Sequence, residues 1–143
     1  MKRAFLLAIL TTACTAAMAA QPVLQATTRP SDAKVYIVSP RDGATVPRTF
    51  TVRFGLRGMG VAPAGVERAD TGHHHLLIDV KTLPAAGQAI PADAHHRHFG
   101  GGQTETVLTL SPGTHTLQLE LADSRHVPFA TPLLSRKITV HVK

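Results

Sequence analysis

Apolar and polar residues alternate with a period of two along several short stretches of this chain. In residues 49–56, 115–121 and 138–142 every second side chain is apolar. Successive side chains of a strand point to opposite faces, so each stretch predicts a β-strand with one buried face. Shorter candidates lie at 35–38, 73–80 and 104–110. The predicted core comprises Phe50, Val52, Phe54, Leu117, Leu119, Leu121, Ile138 and Val140.

Turn-forming residues separate these candidate strands. Proline and glycine occur together in 40–43 and 111–113, and three glycines occupy 100–102. No stretch has a convincing helical period. Six or seven short strands punctuated in this way predict an all-β fold, an antiparallel immunoglobulin-like sandwich of about seven strands. The long connections 58–72 and 82–102 would carry any site, because binding residues concentrate on loops held by a rigid scaffold.

The N-terminus has the pattern of an export signal. Lys2 and Arg3 precede a short apolar run, and Ala17-Met18-Ala19 resembles a cleavage site. We therefore expect a secretory signal peptide over 1–20, a flexible lead-in over 21–32 and one sandwich domain over 33–143, in a periplasmic or secreted protein without a transmembrane segment. Cys14 would be lipidated in a lipoprotein, but the preceding Thr11-Thr12-Ala13 lacks the usual aliphatic residue, which favours the soluble form.

Charge and cysteine content limit which ligands this chain could bind and which metal-ligating atoms it offers. Without Lys2 and Arg3, the 15 basic residues become 13 against 9 acidic ones. The basic residues are scattered with little aromatic interleaving, so nucleic-acid binding is not predicted. Cys14 is the only cysteine, so the mature chain offers no thiolate, and any metal site must use nitrogen and oxygen ligands.

Nine histidines are the most informative residues of the chain. Histidine titrates near neutral pH and is the commonest metal ligand. His73 and His75 would lie side by side on the polar, outward face of one strand, a spacing that can bind one ion. His98 lies in a histidine-rich loop, and His126 follows another strand. We predict that His73, His75, His98 and His126 form a metal site, with Asp79, Asp123 or Glu105 behind the ligands.

The remaining histidines have simpler interpretations. His74 shares the apolar face of its strand and is predicted to be packed and hydrogen-bonded in the core. His115 is predicted to be structural and bonded to backbone, and His141 to be solvated. The sequence leaves open whether His95 and His96 are structural or join the metal site. No phosphate loop or nucleophile elbow accompanies them.

Three motifs resemble a known family. They are GHHHLLID at 72–79, HFGGGQTE at 98–105 and PGTHTL at 112–117. Together they are similar to the domain-of-unknown-function family 4399, from about Ser31 to the C-terminus. The resemblance implies a single compact exported bacterial domain and no established activity. It also implies a histidine after the sequence His126-Val127-Pro128, where this chain has Phe129.

Three functions are consistent with these patterns. The first is an exported, non-enzymatic domain that binds a divalent transition metal, Cu(II) or Zn(II), through surface histidines. The alternative is a cell-envelope interaction module in which an envelope protein is the partner and the histidines are structural. The third is a zinc hydrolase or hydratase with three histidines and an open water position.

Overall fold

The chain folds into β-strands throughout the part described by the computed structural model, residues 25–85 and 87–143. That part contains no helix, and hence none long and apolar enough to cross a bilayer. The predicted signal peptide and Cys14 lie outside the described residues. Ten strands follow one another in the order β1 (Lys34–Ser39), β2 (Ala44–Val46), β3 (Thr49–Arg57), β4 (Gly60–Val61), β5 (Thr71–Ile78), β6 (His96–His98), β7 (Glu105–Thr109), β8 (Gly113–Ala122), β9 (Pro128–Leu134) and β10 (Ile138–Val142).

The strands form two sheets. The smaller sheet has the order β1-β3-β7, and the larger has β2-β10-β8-β5-β4, with β6 added to β5 and β9 added to β8. Most neighbours are antiparallel, but β2 pairs with β10 and β4 with β5 in parallel. The predicted all-β antiparallel sandwich is confirmed. The extra strands β2, β4 and β6 are only two or three residues long, which is too short for alternation to reveal.

The core lies between the sheets and follows the period-two pattern. All eight residues predicted to be buried are buried, and Val52, Leu117, Leu119, Leu121 and Val140 are fully inaccessible. Leu76 and Ile78 of β5 join the same apolar cluster. Because side chains alternate, His73, His75 and Leu77 point away from this cluster, to the outer face of the larger sheet.

The outer face of the larger sheet is covered at β5. Connection 79–95 runs back along this face: the N–H of Ile78 donates to the carbonyl of His95, and the N–H of Ile90 donates to the carbonyl of His126. Ile90 and Leu77 are both buried as a result. Strand β5 is therefore enclosed on both faces, and every residue from Gly72 to Ile78 is buried.

Candidate metal centre

Four imidazoles from three parts of the chain meet on the covered outer face. Two come from β5, because His73 and His75 are two residues apart and share a face. The third comes from β6, in which His98 lies directly opposite His75 in the antiparallel register. The fourth, His126, belongs to the turn between β8 and β9. The structure thus places the rings of all four predicted ligands side by side, and among the described residues His73, His98 and His126 are the three whose nitrogens could hold one ion as they stand.

The rings are in mutual contact. The His73 ring centroid lies 4.9 Å from that of His75 and 5.0 Å from those of His98 and His126. The centroids of His98 and His126 are 4.7 Å apart. One ring nitrogen from each of His73, His98 and His126 lies within 4.8 Å of the other two. Three such atoms share a centre no more than about 2.8 Å from each (4.8 Å divided by √3), close to a metal–nitrogen bond of about 2 Å.

His75 is the fourth ring of the cluster. Its Nε2 atom lies 3.1 Å from the Nε2 atom of His73. Its ring centroid is 5.1 Å from that of His98 and 6.1 Å from that of His126. His75 is therefore close to His73 and His98 and farther from His126.

The prediction that His73 and His75 face solvent is wrong. Both are completely buried, whereas His98 is exposed and His126 is half-buried. The alternation assigned their face correctly, but that face is covered by the His98 ring of β6, the His126 turn and connection 79–95. The cluster therefore has two buried rings, His73 and His75, and two accessible rings, His98 and His126, which form its rim.

Burial keeps the inner histidines neutral. Desolvation, helped by the neighbouring rings of His126 and His98, lowers the pKa of His73 to about 4. Desolvation and the ring of His73 lower the pKa of His75 to about 3. The pKa of His98 is also lowered, first by burial and then by His126. Neutral imidazole is the form that coordinates a metal, so these ligands need not lose a proton at neutral pH.

Asp123 holds the turn that carries His126. Its carboxylate accepts backbone N–H bonds from Arg125 at 2.9 Å and Val127 at 3.0 Å, and the hydroxyl of Thr27 at 2.8 Å. Burial alone would raise the pKa of Asp123, but these bonds outweigh it and hold the pKa below its usual range. His126 itself adopts φ of 67°, an uncommon value for a residue with a side chain. The strained backbone aims its ring at His73 and is held in place by the Asp123 bonds.

Gly100 makes room for His98. A Cβ atom at this position would lie 2.5 Å from Nε2 of the His98 ring, well inside contact distance. The lack of a side chain at Gly100 therefore lets the imidazole fold back over its own chain toward His73.

Two of the three carboxylates predicted behind the ligands are elsewhere. Asp79 lies at the far end of β5, six residues from His73 and so on the order of 20 Å away along the strand. Its carboxylate bonds to Nδ1 of His115 at 2.7 Å. Glu105 is exposed on the other sheet, where it pairs with Arg53 at 3.0 Å. Only Asp123 is near the cluster.

The remaining five histidines lie outside the cluster. His74 packs against Phe54 in the core with ring centroids 5.2 Å apart, as predicted, but neither of its ring nitrogens has a hydrogen bond within the described structure. Burial lowers the pKa of His74 to about 4. The others are bound to other groups: His95 to the Ile78 carbonyl, His96 to Asp93, His115 to Asp79 and the Ser111 carbonyl, and the exposed His141 to Thr114.

Glu120 is the polar residue beside the cluster that the sequence did not single out. It lies directly opposite His75 in the β5–β8 register, so both side chains are on the outer face. It is 1% exposed, and burial raises its pKa to about 7. Alternation along β8 predicted a solvated glutamate. Recognising its position requires the strand pairing, which the sequence does not contain.

The donor set defines what the cluster can bind. It offers neutral imidazole nitrogens and no sulfur, a combination that suits Cu(II), Zn(II) or Ni(II). Phe129, in the position where the resemblance implies another histidine, is 3% exposed and packs in the core cluster. It adds no ligand.

The comparisons with known proteins agree with the sequence motifs. The domain of unknown function DUF4399 matches residues 52–143, which include β5, β6, the His126 turn and all four clustered histidines. No curated protein and no solved structure gives a significant match. The chain therefore belongs to the DUF4399 family.

Proposed function

We propose that this chain is an exported, non-enzymatic protein that binds one divalent transition-metal ion, Cu(II) or Zn(II), through His73, His75, His98 and His126. The ion is held by neutral imidazoles between the buried pair on β5 and the two accessible histidines at the rim. The rim is the side from which the ion arrives, because His98 is exposed and His126 is half-buried.

The contact between His73 and His75 carries this proposal. Their Nε2 atoms are 3.1 Å apart in a buried site. Two bare nitrogen lone pairs at this distance repel, so a proton or a metal cation must lie between them. The Nδ1 atoms of both rings lack hydrogen-bond partners in the described structure. The packed His74 also lacks partners for its ring nitrogens, so what marks His73 and His75 as candidate ligands is their position beside His98 and His126.

The number of donors argues for binding rather than catalysis. Four imidazoles fill a tetrahedral zinc shell, and closed four-ligand sites are typical of non-catalytic zinc. A hydrolytic centre keeps one position open for water. A closed site therefore requires His75, whose Nε2 atom lies 3.1 Å from that of His73, to join the His73, His98 and His126 triad as the fourth ligand.

Metal analysis and titration test the proposal. Untagged protein purified from the cell envelope should contain close to one equivalent of Cu or Zn. Calorimetric titration of the metal-free protein should show one tight site in the wild type. His98→Ala, at the exposed rim, should weaken that site by at least about tenfold. His141→Ala is the matched control, since His141 is exposed on β10 away from the cluster.

Equal and weak binding by these three proteins would contradict the proposal and favour the envelope interaction module. A tight site that retains an exchangeable water would favour the hydrolase instead. Export has its own test. The intact mass of the protein recovered from the periplasm should match a chain that begins at Ala20 or Gln21, whereas a mass that includes lipid on Cys14 would contradict the soluble form.

A further inference from the structure

A small cavity lies on the outer face beside β9. Its volume is about 150 Å³. Glu120 lines it, together with Pro84, Pro128, Pro132, Phe129 and Leu83. Leu83 and Pro132 are partly exposed, so the cavity opens to solvent between connection 79–95 and β9.

One carboxyl oxygen of Glu120 has no hydrogen-bond partner among the described residues. The residue is 1% exposed, and its Oε2 atom makes no hydrogen bond within the described structure. The residues that line the cavity offer this oxygen few hydrogen-bond donors. Three of the lining residues are prolines, which have no backbone N–H to donate, and no lysine, arginine or histidine is among the described residues that line the cavity. A buried polar group without a partner is costly, so a donor that enters the cavity would gain a hydrogen bond with this carboxyl group.

We propose that the Glu120 cavity binds a small primary amine with a compact apolar body. The ammonium group would donate to Glu120, and the hydrocarbon would occupy the space between the prolines and Phe129. A cavity of this volume holds a ring of about six heavy atoms, which sets the size of the ligand. An ammonium ion is preferred over a neutral donor because it supplies the opposite charge in a poorly solvated site.

Binding of cyclohexylamine, measured by calorimetry on the mature protein, tests this inference. Cyclohexanol and cyclohexanecarboxylate have the same ring with a neutral and an anionic group. The amine should bind saturably, the alcohol at least about tenfold more weakly, and the carboxylate not at all. Glu120→Gln keeps the size of the side chain and should weaken amine binding by at least about tenfold. Glu105→Gln is the matched control, because Glu105 is exposed on the other sheet and should leave binding unchanged.

A second variant separates loss of binding from loss of folding. Ala130 is exposed at the wall of the cavity, and its only backbone donor bonds to Thr27. Ala130→Phe should block the cavity without touching Glu120 and should also abolish amine binding. Equal affinity for amine and alcohol, or unchanged amine binding in Glu120→Gln, would overturn the inference.

The position of Glu120 opposite His75 makes a zinc titration of Glu120→Gln necessary. Unchanged zinc affinity together with weakened amine binding supports an independent amine site. Weakened zinc affinity with no amine binding in the wild type would overturn the inference and assign the carboxyl group to His75. The amine titrations need no added metal, so they remain decisive even if the chain binds no metal.

Discussion

The Nε2 atoms of His73 and His75 are 3.1 Å apart although both side chains are completely buried. Two polar rings at successive positions on one face of a strand would ordinarily point into solvent. Here the His98 ring of β6, the His126 turn and connection 79–95 cover them, so the two rings share a site from which water is excluded. The same enclosure lowers the pKa values of both rings and positions the two accessible histidines above them.

The buried histidines predict that stability depends on pH. An unfolded histidine has a pKa near 6.5, whereas burial lowers the pKa of His73 to about 4 and that of His75 to about 3. Below about pH 6.5 the unfolded chain therefore binds more protons than the folded one. The contribution of these histidines to the free energy of unfolding should be fully retained above that pH and should fall as the pH drops toward 4, by at most about 1.4 kcal/mol per pH unit for each one. Burial of Glu120, which raises its pKa to about 7, acts in the opposite direction.

Urea unfolding of the metal-free protein at about pH 7.5 and about pH 5 measures this loss. His75→Gln removes one of the buried titrating groups and should reduce the difference between the two pH values. The exposed His141, changed to Gln, should leave it as in the wild type. Glu120→Gln removes the opposing contribution of Glu120, so equal stability of that variant at both pH values would contradict the burial of neutral histidines.

Gly100→Ala should lower the metal affinity while leaving the stability of the fold nearly unchanged. The added methyl group would lie 2.5 Å from Nε2 of His98, and the exposed ring can swing outward to avoid it. We expect zinc affinity to fall by about tenfold or more, because one ligand leaves its position. The free energy of unfolding should change by less than about 1 kcal/mol. Zinc titration and urea melts of the same preparation provide both values.

Gly60→Ala provides the control for that substitution. Its Cβ atom would meet only the Thr71 methyl group at 3.3 Å, away from the clustered rings. If Gly100→Ala binds zinc as tightly as Gly60→Ala does, His98 is not a ligand.

The alternation of residues along the chain was sufficient to predict the sandwich and its core, because the period-two pattern determines which face of each strand is buried. The four clustered histidines were also predicted together. Alternation could not show what covers a polar face, so His73 and His75 were expected in solvent and Glu120 was overlooked. Asp79 was assigned to the wrong place for a related reason: alternation puts it on the face of His73, but it lies six residues further along, past the end of β5, and bonds to His115.

Asp123→Asn should affect both the fold and the site. The amide keeps one carbonyl oxygen for the N–H groups of Arg125 and Val127, but its NH₂ group cannot accept the Thr27 hydroxyl bond or pair with the Arg125 side chain. Asp123 is buried, so we expect a loss of roughly 1–3 kcal/mol in the free energy of unfolding. Zinc affinity should also fall, because His126 loses the support for its strained backbone. Asp32→Asn, at an exposed position, should change neither quantity.

Leu119→Ala tests the core beneath the site. Leu119 is fully buried, lies opposite Leu76 of β5 and belongs to the cluster between the sheets. Removing three carbon atoms there leaves a cavity, so the free energy of unfolding should fall by roughly 2–5 kcal/mol. Val107→Ala is the control, because Val107 is 62% exposed on β7 and its truncation should stay within about 0.5 kcal/mol of the wild type. A loss below about 1 kcal/mol for Leu119→Ala in urea melts would mean that the apolar face of β8 is not the center of the core.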